Sequence, residues 1–182
     1  MEISEWKKEI QSEREMKDTF FSSQYHSPIP FEDLDHFKRL DYYPPDPDFR
    51  FELVLHEHVE KKILKTEDTQ GNEREFLRWG EFCFKIADKD CSLHVYKSDP
   101  REEHMFVPFR DETNGKQTNE AGRFLDLDNK QHLTPQGKWI FDFNKAYNPW
   151  CAYSDSYACP FVDQENWLKV PICAGEKKYS MR

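Results

Sequence analysis

Basic runs are missing from this chain. Of its 182 residues, 26 are Lys or Arg against 35 Asp or Glu, a formal net charge of -9. Nucleic-acid binding needs clustered Lys and Arg to displace phosphate counterions, and anionic membrane surfaces need the same. We therefore expect no nucleic-acid and no membrane partner, although a local basic pocket stays open. Long apolar runs are missing too: none approaches the roughly 18 residues of a membrane span. The opening Met-Glu-Ile-Ser-Glu-Trp-Lys-Lys is charged throughout and has no apolar h-region, so no signal peptide is expected and the expected location is cytoplasmic. Close cysteine pairs of the C-x₂-C type are absent, which argues against a structural zinc site. The five cysteines are expected to be mostly reduced thiols in that compartment.

What is present is aromatic. Phe, Trp and Tyr make up 15% of the residues, beside 37% hydrophobic and 34% charged. Such a core must lean on large rings, and this composition argues against disorder. The length fits one domain by the usual prior, so we expect residues 1–182 to form a single domain. Residues 1–48 would be a helical and irregular N-terminal arm, and 49–182 a β-rich core.

Residues 4–21 hold no Pro or Gly. Ile3, Trp6, Ile10, Met16 and Phe20 give a thin apolar stripe, and Ser4 can cap, so a helix is expected. Three prolines in YYPPDPD exclude regular structure at 42–48. From Phe49 the period changes to two, with Phe49, Phe51, Leu53 and Leu55 alternating with polar neighbours. Further short strands are expected in KKILKTEDTQGNEREFLRW around a turn, then at Glu81–Ile86, CSLHVY, MFVPF, RFLDL, KWIFDFN and WLKVPIC. No βαβ alternation occurs, so a Rossmann-type fold is not expected. The fold class is α+β, mainly β: an antiparallel curled sheet, barrel or sandwich-like, with an N-terminal helix packed on it.

Two segments concentrate polar residues. The loop RDETNGKQTNEAGR (110–123) has no apolar periodicity, and loops this long are usually functional or disordered. Arg110 and Arg123 there suit a carboxylate or phosphate, with Asp111, Thr113 and Thr118 beside them. They equally suit ion pairs that order the loop. The second segment is DFNKAYNPWCAYSDSYACP (142–160). On a strand, Asp142 and Asn144 point away from the aromatic side. With Asn148 and Tyr153 they either brace the turn or line a polar pocket. Cys151 and Cys159 read as buried structural thiols, with a disulfide or redox pair and a metal site as the alternatives. No calcium loop is read in DLDNKQ, because Lys130, Gln131 and Gly137 stand where ligands and the turn Gly are needed. His56 and His58 lack a visible third ligand and read as a solvated face.

The stretches FVPFRDETNGKQTNEAGRFLDL, DFNKAYNPWCAYSDSYACP and ENWLKVPICAGEK resemble, in order and spacing, an uncharacterised prokaryotic family, the domain of unknown function number sixteen-eighty-four. The likeness is dense over 106–177. Phe124 stands where a Tyr is common, and Asn119 where a Tyr often follows the Thr. The resemblance implies the extent of the fold and the motif positions, and no mechanism.

The expected function is therefore binding of a small polar or anionic molecule. Arg110 and Arg123 would hold negative charge. Asp142, Asn144, Asn148 and Tyr153 would orient the molecule. An enzyme using Asp111 or Asp142 as acid/base, for example a hydrolase, is the alternative; a non-catalytic interaction module is the third reading. No cofactor is assigned and no metal site is expected. Self-association into a homo-oligomer stays open.

Overall fold

A computed structural model describes residues 2–23 and 25–180. Helix α1 (Ile3–Phe21) leads into an irregular arm with short 3₁₀ turns at Phe31–Asp33 and Pro47–Phe49. Seven strands follow: β1 (Arg50–Leu53), β2 (His56–Glu67), β3 (Glu73–Ile86), β4 (Lys89–Lys97), β5 (His104–Phe109), β6 (Arg123–Asp128) and β7 (Trp139–Asp142). A single turn of helix, α2 (Asn129–His132), separates the last two. Five strands form one antiparallel sheet in the order β2-β3-β4-β5-β6, and β1 pairs with β7 in a second sheet of two. The sheets do not close on each other, so the arrangement is sandwich-like and the barrel alternative is corrected.

The alternation read from the sequence places the core. Phe82 and Phe84 on β3, Leu93 and Val95 on β4, Met105, Val107 and Phe109 on β5, and Leu125 and Leu127 on β6 are all buried. They meet Trp139 and Phe141 from the small sheet and Phe143 just beyond it. The Phe141 ring lies 5.1 Å from Phe82 and 5.9 Å from Phe84, tying the two sheets face to face. Phe82, Phe109, Phe141 and Phe143 are each 0% exposed. Each such ring contributes about 1.5–3 kcal/mol relative to an exposed one.

Three local expectations are corrected. The buried residues of α1 are Trp6, Ile10, Arg14 and Phe21, whereas Ile3, Met16 and Phe20 are exposed. The packing stripe follows the i, i+4 row, and one member of it is charged. Arg14 is tolerated there because its guanidinium lies over the Tyr42 ring at 4.4 Å and donates to the carbonyls of Tyr43 (2.9 Å) and Asn144 (3.3 Å). Ser4 lies inside the helix; Glu2 takes the cap position without a side-chain cap. Residues 167–173, expected as a strand, are irregular: Pro171 removes a donor, and the pairing there is reduced to a bridge of Trp167 to Arg110 and a bond from the Glu112 amide to the Val170 carbonyl.

Segment 142–148 crosses between the sheets. It leaves β7, passes through a 3₁₀ turn at Phe143–Lys145, and pairs Tyr147 with Phe124 on the free edge of β6. The C-terminal segment then lies against it: the Glu176 amide donates to the Ala146 carbonyl at 2.9 Å. Gly175 makes this contact possible. It has φ +75°, and a Cβ there would sit 2.6 Å from the Phe143 carbonyl oxygen and 2.7 Å from that of Ala146.

Candidate functional site

The 110–123 loop is folded around one carboxylate. Asp111 Oδ1 accepts from the Thr113 amide (2.9 Å), the Thr113 hydroxyl (2.6 Å) and the Ile172 amide (3.1 Å). Its Oδ2 accepts from Arg123 Nη2 at 3.0 Å. The hydroxyls of Thr113 and Thr118 meet at 2.7 Å, and Asn114 donates to Thr118 Oγ1 at 3.0 Å. Arg123 is 0% exposed. Its guanidinium also donates to the carbonyls of Ile172 (2.8 Å), Glu176 (3.2 Å) and Ala174. A buried charge demands such a set of partners. Here it joins the loop to the C-terminal segment.

A second network surrounds Glu176, whose side chain is fully buried. It accepts from Asn148 Nδ2 (3.0 Å), the Asn148 amide (3.3 Å), Lys17 Nζ (2.8 Å) and the Tyr153 hydroxyl. Burial first, then the charge of Glu176, pushes the Tyr153 phenol far above its ordinary range. A third lies under α1. Asp142 accepts from Trp6 Nε1 (2.8 Å), from the Asn144 amide (2.9 Å) and from its side chain (2.8 Å). Asn144 in turn holds both backbone groups of Asp46 at 2.8 Å, fixing the proline-rich arm.

A sizeable concavity among the described residues lies elsewhere. A cleft of about 720 Å³ opens between the β2–β3 turn, the tip of the 110–123 loop and the segment after β7. Thr69, Arg110, Glu120, Cys151, Asp155 and Trp167 are among the residues that line it. The Arg110 guanidinium lies over the Trp167 ring, 4.5 Å from its centroid. The Arg110 backbone is fixed by bonds to Asn166 and Leu168. Asn166, itself buried, clamps His94 and Pro108 through bonds of 2.7–2.9 Å.

Cys151 and Cys159 meet at this wall. Cys159 Sγ accepts from the Cys151 amide at 3.3 Å. The Cys151 thiol and the Cys151 and Trp150 amides hold the Cys159 thiol down to about 7, against the effect of burial. The same sulfur contact, with burial, pushes Cys151 up.

Of the candidate ligand-binding residues read from the sequence, Arg110 alone lines the cleft, beside Cys151 and Asn119. Asp111, Thr113, Thr118 and Arg123 form one buried knot, and Asn148 and Tyr153 another around Glu176; the two touch through the Glu176 carbonyl. Asp142 and Asn144 lie apart, under α1. Asp111 and Asp142 are buried, and donors of the fold engage both carboxylates. Glu176 was legible as part of A-G-E-K, but nothing in that tetrapeptide says that the carboxylate turns inward. The contribution of Thr69 and Trp167 depends on chain crossings that no local pattern carries. Among the described residues no group of three or more His, Cys, Asp or Glu is placed to hold a metal ion, and no helix is long and apolar enough to cross a membrane.

The solution NMR structure of an uncharacterised protein of Haloarcula marismortui is similar with a TM-score of 0.73 and 35% identity, over 96% of this chain and 95% of that one. The comparison with curated proteins returns no match. Residues 35–177 match the family model described as protein of unknown function (DUF1684), which contains the Asp111–Arg123 knot, Glu176 and every residue that lines the cleft. The chain belongs to that family.

Proposed function

We propose that this chain is a β-rich, cytoplasmic domain that binds a small polar molecule bearing one anionic group, and that the cleft beside Arg110 is where it binds. Arg110 carries the reading. Its guanidinium carbon lies over the Trp167 ring, 4.5 Å from the centroid, at the cleft wall and, among the described residues, no ion pair engages it. A stacked guanidinium keeps its donors in one plane, which suits bidentate contact to carboxylate or phosphate. The volume lies within the usual range of roughly 300–1,000 Å³ for ligand sites. Glu120 and Asp155 on the same walls disfavour a dianion and favour a ligand that also carries donors. The exposed faces of Phe161 and Trp167 suit an apolar or planar body. Location in the cytoplasm is supported by the five free thiols.

In this reading Arg123, Asp142, Asn144, Asn148 and Tyr153 set the shape of the cleft walls indirectly, by bracing the segments that form them. Native mass spectrometry of protein purified from its own host tests the proposal. The expected result is a retained small-molecule mass that Arg110→Ala loses while keeping the parent melting temperature. A mass retained equally by parent and variant places the ligand elsewhere.

A further inference from the structure

Two of the five cysteines are set apart from the rest. Cys83 and Cys91 lie on strands β3 and β4, and Cys173 lies in the C-terminal segment. Cys151 and Cys159 are in direct contact, one at the cleft and the other just behind it. Cys151 lines the cleft and is partly exposed, whereas Cys159 is 8% exposed. The Cys159 sulfur accepts a hydrogen bond from the amide of Cys151 at 3.3 Å. Both backbones are already fixed. Cys151 sits in the 3₁₀ turn Trp150–Ala152. Cys159 is tied to the β2–β3 turn by the Thr69 amide to its carbonyl (3.0 Å) and by its own amide to Thr69 Oγ1 (3.2 Å). Hydrogen-bond donors on a sulfur favour its thiolate form, which is the nucleophile of disulfide exchange. In this contact the charge rests on Cys159, which is placed to take the Cys151 proton as Cys151 attacks. Of the two, only Cys151 lines the cleft.

We propose that Cys151 and Cys159 form a dithiol–disulfide pair, with Cys151 as the sulfur that meets an incoming low-molecular-weight disulfide in the cleft and Cys159 as the sulfur that resolves it. The Cys151 thiolate attacks one sulfur of RS–SR. A protein–SR bond forms, the S–S bond of the reagent breaks, and RS⁻ leaves and takes a proton. Cys159 then attacks the Cys151 sulfur and expels the second RS⁻. The protein loses two electrons and two protons, and RS–SR gains both to become two RSH. The reagent meets Cys151 within a cleft whose walls also include Thr69, Ala152 and Tyr157. The inference uses the cleft only as an access path and does not depend on a ligand at Arg110.

The test incubates the reduced full-length chain with glutathione disulfide, quenches in acid, alkylates, and counts thiols by intact mass with peptide mapping. The expected result is loss of two of the five alkylatable thiols, at Cys151 and Cys159, reversed by excess reduced glutathione. Cys159→Ser should stop at a stable single adduct on Cys151, and Cys151→Ser should react at least tenfold more slowly than the parent. In the parent, alkylation of the pair should rise to half its maximum near pH 7. With Cys159→Ser the midpoint should move up toward the free-cysteine value of about 8.5. Retention of all five thiols after equilibration overturns the proposal, and so does reaction of Cys83 at the same rate as Cys151. Both readouts use the parent protein, so a variant that fails to fold does not leave the question open. Exchange at the same two cysteines with the uncharged bis(2-hydroxyethyl) disulfide, which has no group for Arg110, separates this inference from the ligand reading.

Discussion

Arg123 is the residue on which the loop depends. Its guanidinium joins Asp111 to the carbonyls of residues 172, 174 and 176, all without solvent. Removing one partner of a buried pair leaves the other charge stranded, which typically costs about 3–5 kcal/mol. Arg123→Ala should therefore lower stability by about that amount, read as a lower urea midpoint. A loss under about 1 kcal/mol would mean that the knot is not holding the loop. Arg110→Ala, by contrast, removes a partly exposed side chain from a cleft wall and should leave stability nearly unchanged. Two arginines in one loop thus have opposite roles. Only their depth separates them, and depth is not written in the local sequence.

At the scale of elements, α1 and the crossing segment 142–148 position everything else. The helix is held from the core side by Trp6, whose indole donates to Asp142, and by Lys17, which pairs with Glu176 at 2.8 Å. Trp6→Phe keeps a ring and deletes the donor to a buried carboxylate, a change of about 1–3 kcal/mol. The expected outcome is a lower midpoint with an unchanged denaturant slope; an unchanged midpoint would show that the bond does not anchor the helix. The strands were legible because period-two alternation of Phe, Leu, Val and Met is a local property. So was the helix, from the absence of Pro and Gly. The helix's buried face was not, because Arg14 enters the core on a ring of Tyr42 and two distant carbonyls. The loss of the strand at 167–173 follows from Pro171 and from Asn166, which binds both β4 and β5 through its side chain in place of a ladder.

Across the whole molecule, polar side chains do much of the joining between a large sheet and a small one. Three buried carboxylates, Asp111, Asp142 and Glu176, each collect donors from segments far apart in sequence. The sequence marked these segments as unusual through Asp, Asn and Thr outside any apolar period. It did not mark that their side chains turn inward, because inward and cleft-facing polar residues have the same composition. The cleft is what remains outward. It combines one stacked cation, two carboxylates, exposed rings and a contacting thiol pair. The central claim is that this cleft, and not the buried knots, meets small molecules. The most direct measurement is a ¹⁵N-resolved NMR titration of the full chain, including the Arg110 side chain, with a panel of small carboxylates and phosphate monoesters. The account predicts saturable shifts concentrated at Arg110, Ala121, Cys151 and Trp167, abolished for these residues by Arg110→Ala. Shifts confined to other surfaces, or none across the panel, would contradict it.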